Sequence, residues 1–201
     1  MKKVGVLISG RGSNLQALID AAARGELGGE IAVVVSNVES AAGLERARKA
    51  AIPAHFCDHR GRPREDFDQE VLQLLAAHHV DVVCLAGFMR LLSSRFIRAY
   101  AGRILNVHPS LLPAFPGREP QRQALAYGVK VSGATVHLVD ERLDSGPILL
   151  QEAVPVRGAD TEDTLSARIL EVEHRLYPRA ARIVLEGRCR VEGRRVLLEE
   201  A

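Results

Sequence analysis

The 201-residue sequence contains no tryptophan, and aromatic residues make up only 4% of it. Nor does it hold a basic run interleaved with aromatics, so it lacks the stacking platforms and charged stripe of a nucleic-acid surface. Net charge is +2, too near balance to make an electrostatic case for nucleic acid or membrane. The longest apolar stretches are strand-length, and none can span a bilayer. Met1-Lys2-Lys3 leads straight into Val4-Gly5-Val6-Leu7-Ile8. That run is short and has no small-residue cleavage site, so it reads as a first strand, not a signal peptide. Cysteine is scarce as well. Cys57, Cys84 and Cys189 are odd in number, widely separated and without a C-x-x-C, which implies reduced thiols in the cytosol. His55-Phe56-Cys57-Asp58-His59 has a faint look of metal ligands on one strand face. No second cluster at recognisable spacing completes a shell, so no metal site is expected.

What is present is ordinary globular composition, 47% hydrophobic and 26% charged, with strand and helix patterns in alternation. Strands are expected at Val4–Ile8, Ile31–Val35, Ala54–Cys57, Val82–Ala86 and Arg103–Val107. Helices are expected over Leu15–Arg24, Gly43–Ala50, from about Phe67 to His79, and from a Ser93 cap to Ala101. His78 and His79 suit the C-terminal end of their helix. This alternation predicts a doubly wound, mostly parallel Rossmann-like sheet with right-handed crossovers. After Pro113 the pattern changes. A short helix over Gln121–Tyr127 closes at Gly128, and strands at Gly133–Val139 and Ile148–Val156 can pair across a loop. Thr161 can cap a long helix whose Leu165, Ile169, Val172 and Leu176 share a face; Pro178 should kink or restart it. Gly187–Leu198 reads as a basic hairpin. The C-terminal half is therefore expected as a mixed sheet with a long helix. No repeat or linker interrupts the chain, so one domain is expected over residues 1–201.

Two stretches carry chemistry on their own residues. Ser9-Gly10-Arg11-Gly12-Ser13-Asn14 links the first strand to the first helix. A glycine-rich turn at a helix start offers unpaired N–H groups to a phosphate. The alternative is a tight turn with Ser13 or Asn14 as N-cap. Neither a nucleoside-triphosphate loop nor a full dinucleotide fingerprint is present, since Leu15 occupies the third glycine position. The second stretch is Asn106-Val107-His108-Pro109-Ser110-Leu111-Leu112-Pro113, at the carboxyl end of a strand, where open α/β sheets collect ligands. Asn106 and His108 are two apart and share a face. An amide beside an imidazole suits a polarised carbonyl oxygen; the alternative is a strand end before a proline turn.

Together with Leu85-Ala86-Gly87-Phe88-Met89-Arg90 and Leu143-Asp144-Ser145-Gly146-Pro147-Ile148, these segments resemble the phosphoribosylglycinamide formyltransferase family. The likeness covers essentially the whole chain and thins after about Leu185. It implies transfer of a formyl group from 10-formyltetrahydrofolate, a co-substrate, to the amine of glycinamide ribonucleotide in purine synthesis. It implies further that Gly12, Ser13 and Asn14 hold the ribonucleotide phosphate. Met89, Arg90, Leu91, Leu92 and Asn106 lie along the folate, with Arg64 near its acidic tail. Asn106, His108 and Asp144 carry the catalytic roles, and Glu173 meets the glycinamide amine. On its own residues, Glu173 reads as a solvated glutamate on a helix. His137 is expected as a supporting imidazole or a direct contact. The family often has histidines after Pro116-Gly117, where this chain reads Arg118-Glu119-Pro120-Gln121-Arg122.

The chemistry such a family needs is available. Amine attack on a formyl carbon puts negative charge on the carbonyl oxygen, to which Asn106 and a protonated His108 can donate. Asp144 beside the imidazole would favour its charged form. No metal and no covalent nucleophile is needed. The resemblance divides the chain at about residue 107, with the phosphate before it and the folate and catalytic loop after it. Expected partners are small molecules only, with no nucleic acid or membrane, for a cytoplasmic monomer or homodimer. A formyltransferase acting on initiator tRNA is expected to carry a basic C-terminal domain, and a formyltetrahydrofolate hydrolase an extra N-terminal one; this chain runs from a first strand near Lys3 to Ala201. A non-catalytic sugar-phosphate module would explain the Gly12-Ser13-Asn14 turn but not Asn106, His108 and Asp144 together.

Overall fold

The computed structural model describes residues 1–199. β1 (Lys3–Ile8), β2 (Glu30–Ser36), β3 (Ala54–Phe56), β4 (Val82–Leu85) and β5 (Ile104–His108) alternate with α1 (Ser13–Ala23), α2 (Ala42–Lys49), α3 (Arg64–Ala77) and α4 (Ser94–Ala99). The pairings among these strands are parallel, as helical crossovers require. Then follow α5 (Pro120–Tyr127), β6 (Val131–Leu138), β7 (Ile148–Pro155), α6 (Glu162–Leu185), β8 (Cys189–Glu192) and β9 (Arg195–Leu198). β6 runs antiparallel to both β5 and β7. The β8–β9 hairpin joins the sheet through β9 on β7. Among the described residues, the nine strands form one sheet in the order β3-β2-β1-β4-β5-β6-β7-β9-β8.

Strand side chains alternate between two packed layers. Val4, Val6, Ile8, Cys84, Leu105 and Val107 meet the apolar stripes of α1, α2 and α6. Leu7, Val83, Leu85 and Ile104 meet Phe67, Val71 and Leu75 of α3 and Phe96 of α4. Burial on both faces explains why these strands read as near-continuous apolar runs. The chain moves from β1 outward to β2 and β3, then returns to β4 on the other side of β1. The carboxyl ends of β1 and β4 therefore form a topological switch point, where diverging loops leave a crevice.

Two local expectations are corrected. Gly12, not Ser13 or Asn14, is the N-cap of α1, at φ 72° and ψ 32°, with no side-chain cap bond. Packing decides this, because a Cβ on Gly12 would lie 2.7 Å from Gly43 Cα at the start of α2. Pro178 does not restart α6, which runs unbroken from Glu162 to Leu185. Leu176, Tyr177, Ala180 and Ala181 around it are buried, and Tyr177 Oη donates to both Leu85 O and Leu105 O. That anchoring offsets the lost backbone bond. Among the described residues, no helix is long and apolar enough to cross a membrane.

Candidate active site

β5 delivers Asn106 and His108 to the carboxyl edge of the sheet. Leu105 and Val107 pack toward α6, so Asn106 and His108 project from the opposite face. β6 supplies their cross-strand neighbours: Asn106 lies opposite His137, and His108 opposite Thr135. His137 Nδ1 is 3.0 Å from Leu138 O. A carbonyl only accepts, so Nδ1 carries the proton and Nε2 is left as an acceptor. Asn106 Nδ2, 3.2 Å away, donates to it. Burial pushes the His137 pKa down, against opposing effects of the Leu138 carbonyl and Asp144. The neutral ring thus sets the direction of the Asn106 amide.

The loop after β6 turns back over this edge and brings in Asp144, whose side chain is only 9% exposed. Asp144 Oδ2 lies 3.5 Å from His108 Nδ1, and Oδ1 lies 3.9 Å from His137 Nε2. The residues that sequence reasoning joined across the chain do meet. Asp144 adopts φ 46°, a left-handed conformation that a short polar side chain tolerates. The loop can close only because Gly146 has no Cβ, which would sit 1.7 Å from Leu138 O.

The Pro109–Gly117 segment brackets the pair from the other side. Phe115 O accepts from His108 Nε2 at 2.9 Å, and Gly117 N donates to Asp144 Oδ2 at 2.8 Å. Thr135 holds this segment down: its Oγ1 donates to Ser110 O and accepts from Leu112 N and Gln151 Nε2. With Nε2 committed to Phe115, Nδ1 is the nitrogen of His108 that can serve a reacting group.

Beside these residues is a cleft of about 150 Å³, lined by Arg64, Arg90, Leu91, Leu92, Asn106, His137 and Asp144 among others. Met89 is not part of its lining and is 75% exposed. Arg90 stacks its guanidinium 5.2 Å above the Phe67 ring, and its buried Nε has no partner. Asp68 supports this wall. It is buried, accepts from Ser93 N at 2.6 Å, and burial raises its pKa. A larger groove of about 540 Å³ between α1 and α2 is lined by Gln16, Glu45, Arg46 and Lys49. None of the convergent groups lies in it, and Arg46 is engaged by Arg11 O and Gln16.

At the β1–α1 turn, the first N–H groups of α1 lack helical carbonyls and face outward. Asn14 Nδ2 donates to Glu173 Oε2 at 2.9 Å, while Asn14 Oδ1 is buried without a partner. Glu173 is not a solvated glutamate. It is 5% exposed, and burial pushes its carboxyl up to about 7 against the opposing Asn14 bond. A polar residue on the buried stripe of α6 is the only sequence signal for this, and it is faint. Thr135 and Gly146 carry no sequence signal of their own for these roles; Gly146 lies within the Leu143–Ile148 segment, and Thr135 sits two residues before His137. Among the described residues, no group of three His, Cys, Asp or Glu side chains is arranged to hold a metal.

The Formyl transferase family model matches residues 2–181. The phosphoribosylglycinamide formyltransferase of Escherichia coli is 46% identical over 187 residues, covering 92% of this chain and 88% of that protein. The trifunctional purine biosynthetic protein adenosine-3 of Drosophila pseudoobscura is 50% identical over 192 residues, covering 94% of this chain; the chain spans only 14% of that protein's length. The crystal structure of glycinamide ribonucleotide transformylase 1 from Symbiobacterium toebii superposes with a TM-score of 0.97 at 53% identity, covering 100% of this chain and 95% of that one.

Proposed function

We propose a reaction from one premise: the chain belongs to the phosphoribosylglycinamide formyltransferase family of formyl transferases. The reaction moves a formyl group from 10-formyltetrahydrofolate to the amine of glycinamide ribonucleotide, giving formylglycinamide ribonucleotide and tetrahydrofolate. The observation that carries this reading is the approach of Asp144 Oδ2 to 3.5 Å from His108 Nδ1, beside Asn106. A phosphate-binding module has no use for that arrangement.

In this reading the ribonucleotide phosphate rests on the outward N–H groups at Gly12, Ser13 and Asn14, where the helix dipole favours an anion. The folate lies in the cleft along Arg90, Leu91 and Leu92, with Met89 at its rim and Arg64 toward its acidic tail. The amine attacks the formyl carbon, the carbonyl π pair moves to oxygen, and a tetrahedral intermediate forms. Asn106 donates an N–H to that oxygen. His108, whose Nδ1 lies 3.5 Å from the Asp144 carboxylate, donates the second bond. Each such donor is worth about 3 kcal/mol. Holding both substrates in line supplies roughly 7–11 kcal/mol, the larger share.

The attacking amine must shed a proton, and Glu173 beside Asn14 is suited to receive it. A carboxyl pushed up to about 7 is a competent base near neutrality. Collapse of the intermediate restores the carbonyl and expels the folate nitrogen, which takes a proton from solvent as the C–N bond breaks; Glu173 releases the amine's proton to solvent, so one proton is lost and one gained.

The test is an incubation with 10-formyltetrahydrofolate, with and without glycinamide ribonucleotide, following folate absorbance. Ribonucleotide-dependent formation of tetrahydrofolate is expected. An equal rate without ribonucleotide would identify a hydrolase instead, and no turnover in either case would refute the reading.

A further inference from the structure

Ser9 stands at the switch point, one residue past the end of β1. Its backbone and side chain tie its own loop to two others, after β4 and after β2. Ser9 N donates to Gly87 O at 3.1 Å, in the loop after β4. Ser9 Oγ donates to Asn37 Oδ1 at 2.5 Å, in the loop after β2. The same oxygen accepts from Met89 N at 2.8 Å. The directions are fixed by chemistry, since Met89 N–H can only donate and the Asn37 carbonyl oxygen can only accept. Asn37 is itself 5% exposed, and its backbone carbonyl accepts from His59 Nδ1 at 2.9 Å.

The loops tied this way lead to opposite faces of the sheet. Gly10–Gly12 opens α1, which packs with α2 and α6. Gly87–Leu92 leads to α4, which packs with α3. The β1–β4 pairing and the Ser9 N–Gly87 O backbone bond join the two at their base; beyond that base Met89 is 75% exposed and Leu91 is 56% exposed, and the Ser9 hydroxyl holds the Met89 amide. One hydroxyl therefore spans the crevice between the phosphate turn and the folate segment.

We infer that Ser9 is a positioning residue that couples the two substrates. This rests on the assignment of the phosphate to the β1–α1 turn and of the folate to the Met89–Leu92 segment. Neither substrate needs to touch the Ser9 hydroxyl. Ribonucleotide bound at the turn fixes Ser9, which holds the Met89 amide and so orders the folate segment. Folate then binds a segment whose ordering cost has already been met, and by linkage the reverse holds equally. The hydroxyl also keeps the Met89–Leu92 backbone in register with the turn, which sets the separation of amine and formyl carbon.

The test is a binding cycle with glycinamide ribonucleotide and tetrahydrofolate, a pair that cannot react. In the parent protein each ligand should tighten the other by about 5-fold or more. In Ser9→Ala that factor should fall to within about 2-fold of unity, with each ligand alone still binding, and Ser9→Thr should restore it. Coupling that persists in a folded Ser9→Ala protein overturns the inference, as does a parent protein that binds both ligands independently. A parent that binds neither ligand overturns the proposed function along with it. A second measurement needs no variant: ribonucleotide alone should slow amide hydrogen exchange in the peptide spanning residues 87–92. Unchanged exchange there, with the ribonucleotide bound, also overturns the inference.

Discussion

His137 Nε2 and Asn106 Nδ2 lie 3.2 Å apart across the β5–β6 ladder, and the Leu138 carbonyl, 3.0 Å from Nδ1, decides which of them donates. The imidazole acts as a peg that turns the Asn106 amide nitrogen, not its oxygen, toward the cleft edge. Phe at 137 would fill a similar volume, yet leave the amide free to flip and its N–H buried without a partner. His137→Phe should lower kcat about ten- to hundred-fold, short of losing an oxyanion donor outright. KM for the folate should change less, since the bond matters most in the transition state. Steady-state kinetics check this, and a kcat equal to the parent's would count against the peg.

In the proposed mechanism, Glu173 ties activity to stability with opposite signs. Its folded pKa of about 7 lies above the reference value of 4.5. The native state therefore holds the proton more tightly than the unfolded chain does. The stability this contributes is complete below about pH 4.5 and is lost as pH rises through about 7. Glu173→Gln keeps an oxygen for Asn14 and removes the buried charge. Urea melts should show the variant more stable than the parent at pH 8 by on the order of 1–3 kcal/mol. The gap should be near zero at pH 4.5. Because glutamine cannot take the amine's proton, kcat should drop by about 100-fold or more at pH 8. A stabilised variant with full activity would remove Glu173 from the proton path.

How much of this was legible beforehand depended on the range of the cause. Strand and helix alternation is local, so the parallel half of the sheet could be read from Val4 to Val107. The same holds for the Thr161 cap of α6 and the Ser93 cap of α4, where side-chain bonds form as expected. Asn106 and His108 announced themselves by position at a strand end, and the family resemblance brought in Asp144. What escaped was set by contacts distant in sequence. Gly12 caps α1 because Gly43 leaves no room beside it. α6 passes through Pro178 because Tyr177 is bonded to two strands. Glu173 lies on the buried stripe of α6, but its partner Asn14 comes from 159 residues away, which no helical period encodes. The place of the β8–β9 hairpin on β7 was equally invisible, as it rests on the single Ile148–Arg195 pairing.

Ser13 offers a test of the phosphate site that spares the fold. Substituting Gly12 would strain a φ of 72° and strike Gly43, so lost binding there would be ambiguous. Ser13 is the first residue of α1 and caps nothing. Ser13→Asp places a negative charge where the helix dipole welcomes it, so the melting temperature should hold or rise slightly. The same charge repels the phosphate. KM for ribonucleotide should increase about ten-fold or more, with that for folate within about 2-fold, and the penalty should shrink as salt is raised. Equal increases in both KM values would move the phosphate elsewhere.

Asp144 and His108 permit the most direct test of mechanism, because the structure separates charge from shape. Asp144 Oδ2 faces both His108 Nδ1 at 3.5 Å and the Gly117 amide at 2.8 Å. Asp144→Asn can keep an oxygen on Gly117, so the loop stays closed while the negative charge beside Nδ1 is gone. kcat should fall by about 100-fold or more, with smaller changes in either KM. His108→Ala removes the donor itself and should cost at least as much. In the proposed mechanism the two act on one bond to one oxygen, so the double variant should be little worse than His108→Ala alone. Losses that multiply fully would mean that Asp144 acts elsewhere, for instance through His137, whose Nε2 is 3.9 Å from Oδ1. Measuring Asp144→Asn in a His137→Phe background separates the two routes: an unchanged loss assigns Asp144 to His108, and a loss that vanishes assigns it to His137.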